Sequence, residues 1–322
     1  MLHRRSILKL SALAGLTPAA LWAQSYPTRP VKLLVGFAAG GITDLTARAL
    51  AEEMGSALGQ PVVVENRAGA SGNIASAELA RAAPDGYTLM LASPGQLVVN
   101  PLMQKSLGFD ANTQFSLIGL TNASPFVLVV PSASRFKTAA ELLDWGKANP
   151  GKLSFGSPGI GTTMHIGGEM LNAVVGLQAV HVPYRGGAQA TADLVAGRTD
   201  FMIDSLGAVS AQIDAGQLRV LASASSKRNA RFQDAPALME LYPQIELSSW
   251  LGVVGPPNLP PALQRTLAAA LEKSVKAPRY SDFVTARGST VVDSSPQYFA
   301  THLQTERERV RRTVQQRGLH LD

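Results

Sequence analysis

The glycine-rich segment GFAAGGITD, residues 36–44, has residue types that could hold a phosphate or another anion. Gly36 and Gly41 have the spacing of a P-loop, which requires Lys and then Ser or Thr at the next two positions. Ile42 and Thr43 occupy those positions here. Because the lysine that would contact the outer phosphates of a nucleotide is missing, the segment predicts a backbone cradle for a smaller anion.

Four further segments share this character, since each follows an apolar run and precedes a helical pattern. They are SPGQ (93–96), GSPGIGTTMH (156–165), PYRGG (183–187) and DSLG (204–207). In open parallel sheets such loops lie beyond the carboxyl ends of the strands, where helix N-termini offer unsatisfied N–H groups and a positive dipole end. Any one of them could be ordinary turn chemistry, but five together predict a ligand site.

The elements that position these loops alternate along the chain. Apolar runs at 29–37, 62–66 and 87–93 predict strands, and a helix between the first two has an apolar face with the i, i+3, i+4 pattern. Ala47, Leu50, Ala51, Met54, Ala57 and Leu58 form that face. Strands that alternate with helices predict right-handed crossovers and a parallel sheet.

The pattern restarts after residue 125 with the strand PFVLVV and a helix that Thr138 and Glu141 open as a capping box. After residue 224, Pro-rich loops and two further helices complete the chain. We therefore predict an α/β fold of two lobes, each a mainly parallel sheet flanked by helices. The predicted first lobe comprises 24–124 and 224–322, and the second, inserted lobe comprises 125–223.

Composition agrees with two compact domains, since the 322 residues are 46% hydrophobic and only 16% charged. The absence of cysteine excludes disulfides, thiolate zinc sites and a cysteine nucleophile. The basic segment near 306–317 has Glu306 and Glu308 interleaved and no aromatic platform. It predicts a solvated helix face rather than a nucleic-acid partner.

The first 23 residues have the features of a secretory signal peptide. Arg4, Arg5 and Lys9 precede the apolar stretch LSALAGLTPAALWA, which ends in Ala23 and is too short to span a bilayer. The segment HRRSILK approaches a twin-arginine signal, so both the Sec and the twin-arginine pathway stay open. These positive charges account for about half of the net charge of +6. We expect cleavage close to Gln24 and a periplasmic product.

The segment from YPTRPVKLLVGFAAGGITD to PDGYTLMLAS, residues 26–93, closely resembles the Bug family of periplasmic solute-binding proteins. The segments GSPGIGTTMHIGGEML, VPYRGGAQA and GRTDFMIDS recur in the same order in that family. The resemblance implies a type II periplasmic binding protein fold, or Venus flytrap, that closes on a small carboxylate. It also implies membrane partners of the tripartite tricarboxylate transporter type, for a receptor that resembles TctC. Family ligands include citrate, dicarboxylates, acidic amino acids and aromatic acids.

The resemblance and the recurring Ser-Pro-Gly turn give the following candidate ligand-binding residues: Phe37, Ala39, Gly40, Gly41, Asp44, Ser93, Ser157, Gly159, Gly161, Thr162, His165, Tyr184, Arg185, Gly186 and Asp204. Pro183 precedes Tyr184 in the PYRGG segment. Many relatives have Pro where this chain has Ala39, a difference that could alter ligand fit. We expect no catalytic residue, no metal ligand and no cofactor, and a monomeric protein.

The charged candidates each allow two interpretations. Asp44 lies in a first helical turn, where an acid is favoured with or without a ligand, and it could set selectivity by binding an amine. His165, whose local partner is Glu169, is expected to be a neutral hydrogen-bonding group. Arg185 could clamp a carboxylate or be solvated. Asp204 is expected to hold loop amides or water rather than act as an acid catalyst.

The main alternative is a dinucleotide-dependent oxidoreductase of Rossmann type, since Glu65 ends the second strand where such enzymes keep a ribose-binding acid. However, the glycines do not form G-x-G-x-x-G. A hydrolase is disfavoured because G-x-S-x-G is absent and S-x-x-K occurs only in the leader. We therefore expect a non-enzymatic binding protein that closes by bending near 126–130 and 218–222.

Overall fold

The structure is a computed structural model that describes residues 26–104, 106–224, 228–243, 245 and 247–317. The predicted signal peptide, residues 1–23, lies outside these ranges. Within them, no helix combines the length and apolar character that are needed to cross a bilayer.

Strands and helices alternate through most of the described chain. The strands are β1 (Val31–Val35), β2 (Val62–Asn66), β3 (Thr88–Ala92), β4 (Ser116–Pro131), β5 (Ser154–Ser157), β6 (Val180–Pro183), β7 (Met202–Ser205), β8 (Leu218–Ser223), β9 (Ser248–Gly255) and β10 (Thr290–Val291). The helices are α1 (Ile42–Leu58), α2 (Asn73–Ala80), α3 (Asn100–Met103), α4 (Ala139–Ala148), α5 (Thr163–Val175), α6 (Gly187–Val195), α7 (Leu206–Asp214), α8 (Leu238–Leu241), α9 (Pro261–Lys276), α10 (Pro278–Thr285) and α11 (Pro296–Arg317).

The first lobe is built around β1, which pairs in parallel with β2 on one side and β3 on the other. This arrangement is the one that the alternating pattern predicts. Val31, Leu33 and Val35 of β1 are buried in a cluster that includes Leu50 and Met54 of α1. The predicted apolar face of α1 therefore packs against the sheet.

Strand β4 belongs to both lobes. Its segment 116–125 pairs with β9 in the first lobe, and its segment 126–131 pairs with β7 and β8 in the second. The change of partners falls between Pro125 and Phe126. All of these pairings are antiparallel, and so is that of β9 with β3. The α/β class is confirmed, and the sheet is mixed because the strands that cross between the lobes run back against their neighbours.

The second lobe has a parallel pair, β5 and β6, beside the strands that pair with β4. Its first helix, α4, is capped by Thr138, whose hydroxyl accepts the N–H of Glu141 at 3.2 Å. The Glu141 carboxylate accepts from the N–H of Lys137 at 2.6 Å rather than from that of Thr138. The capping box is therefore present with its reciprocal bond displaced by one residue.

The C-terminal region contributes to both cores. Leu238, Ile245 and Leu247 are buried in the same cluster as Phe126 and Phe155 of the second lobe, while α9, α10 and α11 cover the first-lobe sheet. The lobe limits given above stay predictions.

Within the described residues after 224 there are four helices, where two were expected: the short α8 lies in a segment expected to be a loop, and the C-terminal helical region is divided into α9, α10 and α11. Ala277 has an extended conformation (φ −65°, ψ 135°) between α9 and α10 because it precedes Pro278. Proline disfavours the helical conformation in the residue before it. The dipeptide Ala277-Pro278 therefore indicates this helix break from the sequence alone.

Candidate ligand-binding site

A cavity of about 280 Å³ lies between the lobes, and all five glycine-rich segments contribute residues to its wall. The candidate residues on the wall are Phe37, Gly40, Gly41, Ser93, Thr162 and Asp204. The other candidates are absent from the wall: Ala39, Asp44, Ser157, Gly159, Gly161, His165, Tyr184, Arg185 and Gly186. Most of these nine residues hold the loops that form the wall.

Four helices begin at the cavity. Gly41 is the N-cap of α1 and Thr162 that of α5, and both line the wall. Gly187, the first residue of α6, and Ser205, the N-cap of α7, line it as well. Helix N-termini carry unsatisfied N–H groups and a positive dipole end, so four of them around one space favour an anion.

The carboxylate of Asp44 holds the first-lobe loop. It accepts the N–H of Gly40 at 2.9 Å, the side-chain amide of Asn66 at 3.0 Å and the guanidinium of Arg48 at 3.0 Å. The same Asn66 amide donates to the carbonyl of Phe37 at 2.9 Å. Burial would raise the pKa of Asp44, but these donors outweigh it and hold that pKa below its usual value. Both oxygens are thus used within the protein.

The turn of this loop requires a glycine at position 40 but not at position 41. Gly40 has φ +85°, a left-handed conformation that side chains disfavour. Gly41 has φ −78°, and a Cβ there would meet only the carbonyl of Ala38, at 3.7 Å. A side chain at Gly41 would therefore project towards the cavity without straining the backbone.

The second-lobe loop is held by hydroxyl and imidazole groups. His165 accepts the N–H of Gly161 at its Nδ1, at 3.1 Å. Thr162 accepts the N–H of His165 and donates to the carbonyl of Gly159 at 2.8 Å. Ser157 donates to the same carbonyl at 3.1 Å and accepts the N–H of Gly159 at 3.2 Å. This network leaves Thr162 on the wall and the other residues behind it.

A second histidine, His181, lies behind the same loop. Its ring stacks on His165 with centroids 4.0 Å apart, and its Nε2 lies 2.6 Å from Oγ of Ser157. The pKa of both imidazoles is lowered to about 4, by burial in each case and, for His181, also by the neighbouring His165. Both are neutral at neutral pH, as expected for His165. In the part of the chain that the structure describes, no three His, Asp or Glu side chains are grouped to hold a metal.

The PYRGG turn contributes to the cleft mainly through its backbone. The Tyr184 hydroxyl donates to Asp193 at 2.9 Å, and Arg185 is exposed. A Cβ on Gly186 (φ +154°) would lie 3.4 Å from the Cβ of Ala38 in the first lobe. The geometry agrees with a solvated Arg185 rather than a carboxylate clamp.

Asp204 differs from the other charged candidates because its side chain is fully buried and lines the cavity. Its Oδ1 accepts the N–H of Ser205 at 2.7 Å. Burial raises the pKa of this carboxyl to about 7.

Several wall residues were missed by the sequence analysis. The crossing strands β4 and β9 contribute Asn122, Ser124, Phe126, Ser249, Trp250 and Leu251, and the segment before β10 contributes Arg287 and Ser289. Positions inside strands give no local signal of this kind, since their location depends on how the two lobes join.

The lobes also touch at the edge of the cleft. Ser71 lies in a short turn between β2 and α2 with a left-handed φ of 55°. Its hydroxyl donates to the carbonyl of Ile160 in the second lobe. This contact joins the two rims of the cleft at one point.

The family model described as the tripartite tricarboxylate transporter family receptor, TctC, matches residues 46–319. A protein of Pseudomonas sp. (strain P51), described as a UPF0065 protein in the tcbD-tcbE intergenic region, is 36% identical over 316 residues. That match covers 97% of this chain and 94% of the Pseudomonas protein.

Solved structures agree with this match. The periplasmic binding protein BugD has a TM-score of 0.87 at 32% identity, with 92% of this chain and 99% of BugD covered. An R. palustris protein with adipate has a TM-score of 0.87 at 30% identity, over 92% and 99% of the two chains. MatC from Rhodopseudomonas palustris with bound malate has a TM-score of 0.86 at 27% identity, over 90% and 100%.

The two-lobed α/β fold and the cavity between the lobes define a periplasmic solute-binding protein. The chain belongs to the tripartite tricarboxylate transporter receptor (TctC) family, and the resemblance to the Bug family is confirmed.

Replacing Asp44 with Asn is expected to weaken binding of every ligand by a similar factor, because an amide has one acceptor oxygen and its NH2 group would face the donors that now reach the second carboxylate oxygen, from Asn66 and Arg48. The loss of a charge-assisted hydrogen bond should also lower the free energy of unfolding by about 1.5–3 kcal/mol. Chemical denaturation and calorimetry measure both effects. Asp85→Asn is the matched control, since its ion pair with Arg29 is exposed and worth ~0–1 kcal/mol. A loss confined to amine-bearing ligands would instead assign Asp44 to selectivity.

The buried histidines predict a loss of stability in mild acid. As the pH falls from 6.5 towards 4, the unfolded chain binds two protons, at His165 and His181, that the folded chain does not. The folded chain binds one proton that the unfolded chain does not, at Asp204 with its pKa of about 7, so a difference of about one proton remains and the free energy of unfolding should decrease. In His165→Asn, Oδ1 can still accept the N–H of Gly161, and the decrease should be smaller. Urea denaturation at pH 7, 5.5 and 4.5 measures it. Equal decreases in parent and variant would contradict this role.

Proposed function

We propose that the protein captures a small carboxylate between its two lobes, as a monomer, and presents it to tripartite tricarboxylate transporter membrane subunits or to a sensor. The observation that carries this proposal is the convergence of four helix N-termini on one cavity. Such termini stabilise negative charge, and the glycines of the loops let their N–H groups approach a ligand closely.

The size and lining of the cavity favour a small ligand over a nucleotide. About 280 Å³ is slightly below the ~300–1,000 Å³ of ligand pockets, and none of the lysines that the structure describes lies on the wall. Glu65, the candidate ribose-binding acid, forms ion pairs with Lys32 at 3.2 Å and Arg67 at 2.6 Å and is absent from the wall. The oxidoreductase alternative therefore has no support from the geometry. Adipate and malate, present in two similar structures, are ligands of the proposed size.

Binding without catalysis is part of this proposal. Ser157 and His181 lie 2.6 Å apart, which is a distance typical of a nucleophile and its base. However, Ser157 does not line the cavity, and its hydroxyl donates to the Gly159 carbonyl. The pair supports the loop from behind and has no access to a ligand.

Closure would come from bending of the crossing strands. Strand β4 changes partners between Pro125 and Phe126, and the same strands supply the cavity floor. The contact of Ser71 with Ile160 joins the two rims. A ligand that contacts both lobes would favour this closed form over an open one, in proportion to its extra contacts there.

Binding to a panel of acids tests the proposal. We expect at least one of succinate, malate, adipate, citrate, glutamate and benzoate to bind in calorimetry, with a decrease in the radius of gyration measured by small-angle scattering. ATP and NAD should not bind usefully. Nucleotide binding without any response to the acids would reject the proposal in favour of the oxidoreductase.

Export is a separate part of the proposal and rests on residues 1–23. Intact mass measurement of the protein from a periplasmic extract should give an N-terminus near Gln24, since Ala23 supplies the small residue before the cut. A full-length product that stays in the cytosol would contradict export.

A further inference from the structure

The carboxyl group of Asp204 is placed in an unusual way for a charged residue. It ends β7 on the cavity wall, its side chain is fully buried, and its Oδ1 accepts the N–H of Ser205. Its Oδ2 has no hydrogen-bond partner among the described residues. A buried carboxylate oxygen without a hydrogen-bond partner costs free energy. Because Oδ2 has no such partner, it can still take part in one strong hydrogen bond.

The charged groups near Asp204 do not neutralise it. Strands β4 and β5, which pack against β7, contain no charged residue. On α5, His165 and Glu169 face each other at 3.8 Å. On α7, Asp214 pairs with Arg231. None of these four side chains contacts Asp204 in the described structure.

Arg287, the cation on the cavity wall, interacts with Phe283 instead of Asp204. Its Nη1 donates to the carbonyl of Phe283 at 3.0 Å, and its guanidinium lies 3.8 Å from the centre of the Phe283 ring. Asp204 therefore belongs to the cavity wall without a cation as its partner. If it were ionised, it would repel the anion that the helix N-termini around it attract.

We propose that Asp204 binds the ligand as a neutral carboxylic acid, with Oδ2–H donating a hydrogen bond to a carboxylate oxygen of the ligand. Capture of the ligand then takes up one proton whenever Asp204 is ionised beforehand. This inference rests on the proposed function, because it requires an anionic ligand in the cavity. It makes Asp204 a contact residue whose role depends on its proton rather than on its charge.

The proton balance follows from the two states of the carboxyl. Burial raises the pKa of Asp204 to about 7 before binding, and an adjacent anion raises it further. At pH 8 about nine-tenths of the protein is then ionised and must gain a proton on binding, and at pH 6 about one-tenth. Affinity should consequently fall about tenfold for each pH unit above 7, until the pKa of the complex is reached.

Calorimetry measures this uptake directly. Malate and adipate are titrated at pH 6 and pH 8, at each pH in two buffers that differ in ionisation enthalpy, with HEPES and Tris for pH 8. We expect close to one proton taken up at pH 8 and little at pH 6. His165 and His181 do not interfere, since their pKa values of about 4 lie outside this window. Tight binding at pH 8 without proton uptake would overturn the inference and leave the proposed function intact.

Two substitutions assign the proton to Asp204. In Asp204→Asn the uptake and the pH dependence should disappear, and this variant should bind more tightly than Asp204→Ala because its amide still donates. Asp144→Asn removes the same charge from an exposed site of the second lobe and should keep both effects. Uptake that persists in Asp204→Asn would show that another group takes the proton.

Titration with aspartate, an acid that carries an amine, is the last experiment. If aspartate bound without proton uptake, and Asp204→Asn lost that affinity, Asp204 would be an ionised partner of the ammonium group and the inference would be wrong. If neither these three acids nor any other acid of the panel above bound at any pH, the proposed function itself would fail; an acid of that panel that does bind replaces malate and adipate in the proton measurement. The two failures are therefore distinguishable.

Discussion

A single buried carboxylate, that of Asp44, ties the first turn of α1 to β2 and to the loop that follows β1. Its cost of burial is offset by donors from three parts of the chain: the Gly40 N–H, the Arg48 guanidinium and the Asn66 amide. These bonds fix where α1 begins. Because the helix N-terminus is the part that can attract an anion, the position of this carboxylate determines whether the cavity has an attractive first-lobe side at all.

The second-lobe side depends on neutral groups. Two stacked imidazoles and a serine hydroxyl hold the loop before α5 from behind. The crossing strand β4 then sets both sides against each other, since its two halves belong to different lobes. Phe126, at the point where β4 changes partners, is buried in the second-lobe core and lies on the cavity wall. The strand that joins the lobes thus also lines the space between them.

Local patterns were enough to predict much of this architecture. The first three strands, the apolar face of α1 and the cap of α4 follow from spacing within a few residues, and the five loops were located by their position after strands. The helix break at Pro278 was also local but was not recognised. The roles of Asp44 and His181 could not be predicted, because their partners lie far away in sequence: Asn66 is 22 residues from Asp44, and Ser157 is 24 residues from His181.

The four helix N-termini at the cavity have a consequence for evolution. Every residue except proline carries a backbone N–H, so mutation of a wall side chain leaves the anion-attracting part of the site in place. Positions such as Leu45, Ala188 and Gln212 line the cavity without capping a helix and are therefore available for change. After a gene duplication, substitutions at these positions could change the shape of the cavity while the four helix N-termini stay in place. Selection can in this way derive a large set of receptors from one scaffold.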